Sequence, residues 1–362
     1  LADYNLIGPI GSGPFKFLDL KKKRDGFITD YELTRNNNYP GKKPYLDAIT
    51  FKFFPNEKDA IKAMNSGLVD GIGSVQYKNL KEITVPRLVY TVSMPRYYAI
   101  FFNQSANPAL KNFSVRKTLD LATDRRKIIG DVFKGTAVPL IGPLAPGING
   151  YNENDFSRQN EFSLDKARGL LEVNGWQAKI DGIRENTNPG GGRLEFTLTL
   201  PEIPFLVDSA KIIQEDWQKI GVKLNLDIKP NDEFFSQTIK PRDYEMILFG
   251  NIFGKNPDLF SFWHSSQKFH PGLNLALYEN KDVDFLINSI RNDFNSSTRQ
   301  DKMIQAQSFI INDEPAIFLF SPSYIYILSK SIMGFDEKNI SLPSSRLQNI
   351  ENWYTKTERI FK

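Results

Sequence analysis

The chain of 362 residues contains no cysteine, which excludes disulfides, thiol nucleophiles and thiolate metal ligands together. It has only two histidines, His264 and His270. Six residues apart, they do not share a helical face, and with no third ligand nearby they form no zinc motif. A Ser-His-Asp arrangement could use Ser265 or His264 only through distant partners, and no nucleophile-elbow motif occurs. No stretch reaches the roughly 18 uninterrupted apolar residues of a membrane helix. The most apolar tract, 316–328, is broken by Ser321, Pro322 and Ser323 and reads as strands. An excess of one charge is missing too: 46 basic against 42 acidic residues leave +4, too little to imply a nucleic-acid partner. The glycines of 188–192 make no phosphate cradle, because no Gly-Lys-Ser/Thr opens a helix behind them. They read as a turn before a strand at 194–200.

What is present is an alternation of short strands and amphipathic helices. A chain of this length is long for one core and points to two lobes. Residues 49–73 carry the densest signal. Ile49, Phe51 and Phe53 alternate with Thr50, Lys52 and Phe54, which predicts a strand with one deeply buried face. Pro55 stops it, and Asn56 caps a helix with Asp59 at its third position. Ala60, Ile61, Met64 and Leu68 fall at helical spacing, and Gly67 supplies a left-handed terminus. The run predicts a βαβ-like unit. Upstream, Lys21-Lys22-Lys23-Arg24 leads into Asp25-Gly26, a turn signal between strands at 15–20 and 27–34, so this basic run reads as a solvated hairpin tip.

Residues 88–102 are extended, and the polar stretch 103–112, with Asn107-Pro108, reads as a loop carrying the chain from one lobe to the other. Ser114 is expected to cap a helix with Val115, Leu119 and Ala122 inward, and Asp124 a second with Ile128, Val132 and Phe133 inward. Arg116, Arg125 and Arg126 read as structural or solvated before they read as functional. Ser163 caps a helix burying Leu164, Ala167, Leu170 and Leu171. Residues 204–220 are amphipathic with Ala210, Ile213, Trp217 and Ile220 inward, and Val222, Leu224, Leu226 and Ile228 alternate into a strand. A short helix at 232–239 and a strand at 244–249 follow. Val283, Leu286, Ile287 and Ile290 mark a further helix, Ser297 and Gln300 the capping box of another, and Glu314-Pro315 its end. Strands and helices in this alternation build an α/β lobe.

Four tracts resemble one known family. Tyr39-Pro40-Gly41-Lys42, Leu46, Asp47, Ile49, Ala60, Ser66-Gly67 and Val69-Asp70, preceded by Pro9-Ile10-Gly11-Ser12-Gly13-Pro14-Phe15, look like the dipeptide and oligopeptide-binding receptors of bacterial ABC importers. So do Phe113-Ser114-Val115-Arg116-Lys117-Thr118-Leu119 with 122–125, the strand from Tyr244 to Gly250, and the turn Asn256-Pro257-Asp258. The resemblance implies an α/β, two-lobed periplasmic-binding-protein-like fold with hinge crossovers, divided as 1–100 (first lobe), 101–320 (second α/β lobe) and 321–362 (return to the first). It further implies a first lobe that is N-terminally incomplete, since these receptors carry a segment before the turn at Pro9. The implied function is capture of peptides in an interlobe cleft and delivery to the permease subunits of an ABC transporter, by a monomer in an extracytoplasmic space, without catalysis, cofactor or metal. Freedom from cysteine suits that compartment. The alternative is the same fold holding a non-peptide solute such as a metal chelate or an oligosaccharide, and a cleft hydrolase is the more distant one.

A cleft open to many peptides is expected to hydrogen-bond the ligand backbone as an added strand and to hold side chains in roomy, hydrated pockets. The candidate ligand-binding residues are Phe101, Asn103, Gly250, Asn251, Phe253, Asp258, Trp263 and Tyr324. Backbone at 98–103 and 250–253 would pair with the ligand, and Phe101, Phe253 and Tyr324 would wall the cleft. Phe260 and Phe262 read as core. Asn251 stands where many relatives have tryptophan, and Ile252-Phe253-Gly254-Lys255 offers a cation where peptide-binding relatives place an aspartate. Asp258, the first acid beyond, is expected to cap local backbone. The expectation is a ligand that needs no free amine.

Overall fold

The computed structural model of the chain describes residues 9–148, 150–151, 162–188, 191–253 and 258–355. By contacts the chain divides into two units, 1–93 with 324–362, and 94–323. The first unit opens with the expected hairpin, strands β1 (Phe15–Lys22) and β2 (Ile28–Arg35). Gly26 takes φ 88° at its tip, and the Phe27 amide donates to the Asp25 carboxylate at 2.9 Å. Strand β3 (Ala48–Lys52) adds antiparallel to β2. Its deeply buried face is not realised: all five residues are half-buried or exposed, and Phe53 lies beyond the strand, 49% exposed.

Helix α1 (Glu57–Asn65) starts where Asn56 accepts the Asp59 amide at 3.0 Å. It ends at Gly67, φ 71°, with the amides of Gly67 and Leu68 returning to the carbonyls of Met64 and Ala63, a Schellman closure. Ile61 and Met64 are buried as expected, whereas Leu68 is 56% exposed, because the turn breaks the helical phase before it. The return strand β4 (Gly71–Gly73) belongs to a different sheet from β3. The expected βαβ unit is therefore a helix linking two sheets. Strand β5 (Arg87–Val92) completes this part of the unit.

The second unit begins at Met94, and β6 (Arg96–Phe102) lies well inside it. Residues 103–112, read from sequence as the passage between lobes, also lie within this unit. There Asn107 caps a short helix α2 (Pro108–Lys111). Helix α3 (Phe113–Leu121) is capped by Asn112, whose carbonyl oxygen accepts the Ser114 amide at 2.9 Å, so the cap is two residues earlier than Ser114. The inward set Val115, Leu119 and Ala122 is fully buried. Asp124 caps α4 (Arg125–Asp131), and Ser163 caps α5 (Leu164–Val173), both as expected. Strand β7 (Ala137–Pro139) lies between them in sequence.

A small sheet of β8 (Gln177–Ala178), β9 (Arg184–Asn186) and β10 (Gly192–Arg193) precedes β11 (Glu195–Pro201). Pro189 and Gly190, in the glycine-rich turn, lie outside the described residues. Helix α6 (Pro204–Gln218), strand β12 (Lys223–Lys229) and strand β13 (Met246–Ile252) follow. Helices α7 (Lys281–Asn292) and α8 (Ser296–Asp313) come next, the second capped by Asn295 rather than through Ser297. In both misplaced caps an asparagine sits just upstream of the serine, and Asn caps as well as Ser.

Strand β14 (Ala316–Pro322) closes a six-stranded sheet of order β12-β11-β13-β6-β14-β7. Strands β11, β12 and β13 run parallel, and β6 runs antiparallel to both β13 and β14. Alternate residues of each strand face opposite layers. Ile100 and Phe102 pack with α3, α4, α5 and α6, while Tyr97, Ala99 and Phe101 pack with α7 and α8. The result is a three-layer α/β unit. The chain leaves it after Ser323 into β15 (Tyr324–Ser329), which pairs with β5 and β4 in the first unit. In each unit, then, the strand at the outgoing crossing pairs with the strand at the return crossing: β5 with β15, β6 with β14. Among the described residues no helix is long and apolar enough to cross a membrane.

Candidate functional site

The strand directions gather particular residues at one end of the six-stranded sheet. The carboxyl ends of β11, β12, β13 and β14 and the amino end of β6 meet there, placing Gly250 opposite Tyr98 and Asn251 opposite Tyr97. Carboxyl ends of parallel strands are where open α/β sheets bind ligands. Helix α6 starts three residues after β11 ends, at this same end of the sheet, and has no side-chain cap.

On the face toward α7 and α8, polar groups at the sheet end are hydrogen-bonded to one another. Asn251 Nδ2 donates to the Tyr97 hydroxyl at 2.6 Å, and Trp263 Nε1 donates to the same oxygen at 3.0 Å. Phe253 and Phe318 pack on the Tyr97 ring with centroids at 5.8 and 5.4 Å. Burial pushes the Tyr97 hydroxyl far above its ordinary pKa, against the two hydrogen bonds, so it stays a neutral acceptor. Of the sequence candidates, Asn251, Phe253, Trp263 and Phe101 all belong to this closed layer, with exposures of 4, 1, 0 and 0%. They brace the sheet end from behind.

The opposite face is different. The Tyr98 ring lies over Gly250, where a Cβ would come within 2.6 Å of Cε1, so glycine is what lets the ring settle. Phe205 meets Tyr98 edge-on at 5.1 Å, and Phe320 packs at 5.7 Å. Arg96, two residues before Tyr98 and on the same face, donates from Nε to the Pro322 carbonyl at 3.1 Å. Burial pulls the Arg96 guanidinium down and the Tyr98 phenol up, each opposed by the other.

The remaining candidates lie apart. Asn103 is at the far end of β6, seven residues from Arg96 and so roughly 23 Å along the strand; its amide donates to the Glu245 carbonyl at 2.9 Å. Tyr324 is in the first unit, 3% exposed, with its hydroxyl so close to Gly73 that a Cβ there would be 1.9 Å away. Asp258 accepts the Phe260 amide at 2.9 Å, the local cap expected of it, and stands 3.3 Å from Arg291 Nε. Gly254, Lys255, Asn256 and Pro257 lie outside the described residues. The backbone at 98–101 is not a free edge, because β6 pairs with β13 on one side and β14 on the other; residues 250–252 pair with β6, while the recorded pairing of β13 with β11 is confined to Met246 and Ile247.

His264 Nδ1 accepts the Ser266 amide at 3.1 Å, and Nε2 lies 3.0 Å from Asn288 Nδ2. Ser265 Oγ donates to Asp284 rather than to the histidine. Among the described residues no group of three or more His, Cys, Asp or Glu side chains is placed to hold a metal. Arg116 and Arg125 are structural, as read from sequence, donating to the carbonyls of Glu314 and Phe318 respectively. The sequence reading missed Arg96, Tyr97 and Tyr98 as individuals. The alternation within β6 was the available signal, but it could not say which face would be left unsaturated.

Comparison with known proteins agrees with this architecture. The oligopeptide-binding protein AppA of Bacillus subtilis is 27% identical over 357 residues, 97% of this chain and 63% of that protein. Heme-binding protein A of Haemophilus influenzae is 26% identical over 340 residues, 90% of this chain and 57% of the relative. The chain thus spans less than two thirds of the length of these curated relatives. The structure of AppA from Bacillus subtilis in complex with a nonapeptide matches with a TM-score of 0.70 and 26% identity, covering 96% of this chain and 67% of that one. The family described as bacterial extracellular solute-binding proteins, family 5 Middle, matches residues 2–271, three quarters of the sequence, and the chain belongs to that family.

Proposed function

We propose that the protein is the substrate-binding component of an ABC importer, capturing peptides outside the cytoplasm and delivering them to membrane permease subunits. The observation that carries this reading is the match to a nonapeptide-bound oligopeptide receptor over 96% of the chain. The sheet end described above offers the half-buried rings of Tyr98 and Phe205, seated on the fully buried Phe320, with a hydrogen-bonded layer on the other face of the sheet. Capture would involve movement about the two connections after Ser93 and Ser323, a hinge with paired strands on either side of the crossings. Such a protein binds and releases without catalysis. Asp258 is engaged by local backbone and by Arg291, so a ligand ammonium would find no ready partner there, and an unpaired buried charge costs about 3–5 kcal/mol. N-acetylated peptides should therefore bind as well as free ones. Calorimetry on the intact protein with matched acetylated and free peptides tests this; a large loss on acetylation would reveal an acid that holds the amine.

A second reading is favoured by the likeness to heme-binding protein A: a non-peptide solute in the same site. Mass spectrometry of what copurifies with the intact protein separates the two, since recovered peptides support the first and a recovered chelate or macrocycle the second.

A further inference from the structure

Four buried arginines of the second unit and the half-buried Arg96 differ in how fully their donors are used. Arg116 directs Nε to the Glu314 carbonyl at 2.8 Å, Nη1 to the carbonyls of Leu110 and Lys111 at 2.8 and 3.0 Å, and Nη2 to that of Asp313 at 2.8 Å. Arg184 reaches the carbonyls of Ile220 and Trp176 and the Glu172 carboxylate at 2.8–3.0 Å. Arg242 engages the carbonyls of Lys268, Ile239 and Gly272, and Arg125 those of Leu140 and Phe318 together with the Asp120 carboxylate. Arg96 makes one bond, to Pro322. Among the described residues neither of its Nη atoms has an acceptor, and no carboxylate stands against it.

A guanidinium carries five donors, and the Nη donors of Arg96, which no protein acceptor takes and which are not among the fully buried unpartnered atoms, are open to water or to a ligand. Burial already depresses the Arg96 pKa, the opposite of what a resident anion would do. The neighbouring Tyr98 hydroxyl likewise has no hydrogen-bond partner among the described residues, although its ring is held by Gly250, Phe205 and Phe320. Phe205 is in the first turn of the uncapped helix α6, so the positive end of that helix dipole lies beside the same ring.

We propose that Arg96 and Tyr98 form an anion subsite that takes a carboxylate of the bound solute, the guanidinium pairing with both oxygens and the phenol donating to one. The guanidinium fork matches a planar carboxylate, and one positive charge beside a neutral phenol balances a monoanion. This rests on the solute-binding reading above. A peptide's terminal carboxylate and an acidic side chain offer the same chemistry, and the test must tell them apart.

The experiment is calorimetry on the intact protein with three N-acetylated pentapeptides: pentaalanine as the free acid, pentaalanine amide, and the amide with one Ala replaced by Glu. The free acid is expected to bind at least about tenfold tighter than the plain amide, as a charge-assisted hydrogen-bond pair would give. A preference for the glutamyl amide instead assigns the subsite to a side-chain carboxylate. In either case Arg96→Gln removes the preference while keeping the amide affinity, Arg96→Lys keeps part of it, and Tyr98→Phe narrows it by about two- to fivefold. Equal binding of acids and plain amide by the unaltered protein, or a preference that survives Arg96→Gln, overturns the subsite and leaves the receptor reading standing. Failure of the unaltered protein to bind any of the three overturns the peptide reading, and the subsite with it.

Discussion

Tyr97 and Tyr98 are neighbours on one strand, yet their hydroxyls have opposite surroundings. Tyr97 accepts from Asn251 and Trp263 inside a layer with almost no exposure. Tyr98 lies over a glycine with a half-buried arginine beside it, and neither polar tip is fully matched. A one-residue step along a strand switches faces, so one strand both secures the core and presents chemistry. At this end of the sheet the Tyr97 hydroxyl is engaged within the core, whereas among the described residues the Tyr98 hydroxyl and the Arg96 Nη atoms have no protein acceptor.

The largest way to break that contrast is Trp263→Ala, which removes both a fully buried indole and the donor to Tyr97. It should cost about 3–5 kcal/mol in urea unfolding. Tyr97→Phe should follow at about 2–4 kcal/mol, because the Asn251 side-chain amide and the Trp263 indole N–H lose their shared acceptor and unsatisfied buried donors cost about 1–3 kcal/mol each. A loss under ~0.5 kcal/mol in that unfolding curve would mean water replaces the hydroxyl and the layer is not closed.

The charged core of the same unit extends the comparison to pH. Glu314, the left-handed cap after α8, lies 2.5 Å from Lys117, which also stands 3.7 Å from Asp120. Burial and then the Asp120 carboxylate push the Glu314 carboxyl up to about 7, against the pull of Lys117. The folded chain therefore holds this proton more tightly than the unfolded chain, where the group titrates near 4.5. The associated stability is full below pH 4.5 and is lost as pH rises through 7. Between pH 8 and 5 the unaltered protein should gain on the order of 2 kcal/mol relative to Glu314→Gln; parallel stability curves for the two would rule the assignment out.

Gly250→Ala sharpens the view of the Tyr98 face. The new Cβ meets the Tyr98 ring and, at 3.0 Å, the Tyr97 carbonyl, so a cost of about 1–3 kcal/mol is expected, together with a shifted Tyr98 ring signal in NMR. The smallest effect should be that of Tyr98→Phe, within about 0.5 kcal/mol of neutral for folding, because no partner of its hydroxyl is lost. A cost for Tyr98→Phe equal to that of Tyr97→Phe would erase the distinction between the faces.

The sequence by itself determined what depends on neighbours a few residues apart. The Asp25-Gly26 turn, the Asn56 cap and Gly67 stop of α1, and the buried stripes of α3, α6 and α7 were legible, because turn chemistry and helical periodicity are local. Its local misjudgements were narrow, as where Asn112 and Asn295 cap helices ahead of the serines. Tertiary structure alone decided that β3 and β4 enter different sheets, that β6 is central rather than an edge, and that Asn103 is at the far end of the strand from Gly250. It also decided the site's polarity. The partners of the Tyr97 hydroxyl lie 154 and 166 residues away in sequence, and the carbonyl that holds Arg96 lies 226 away. A hydrogen bond is a short-range, directional contact, so whether a buried polar group is matched depends on which distant strands the fold brings beside it, and periodicity carries no record of that.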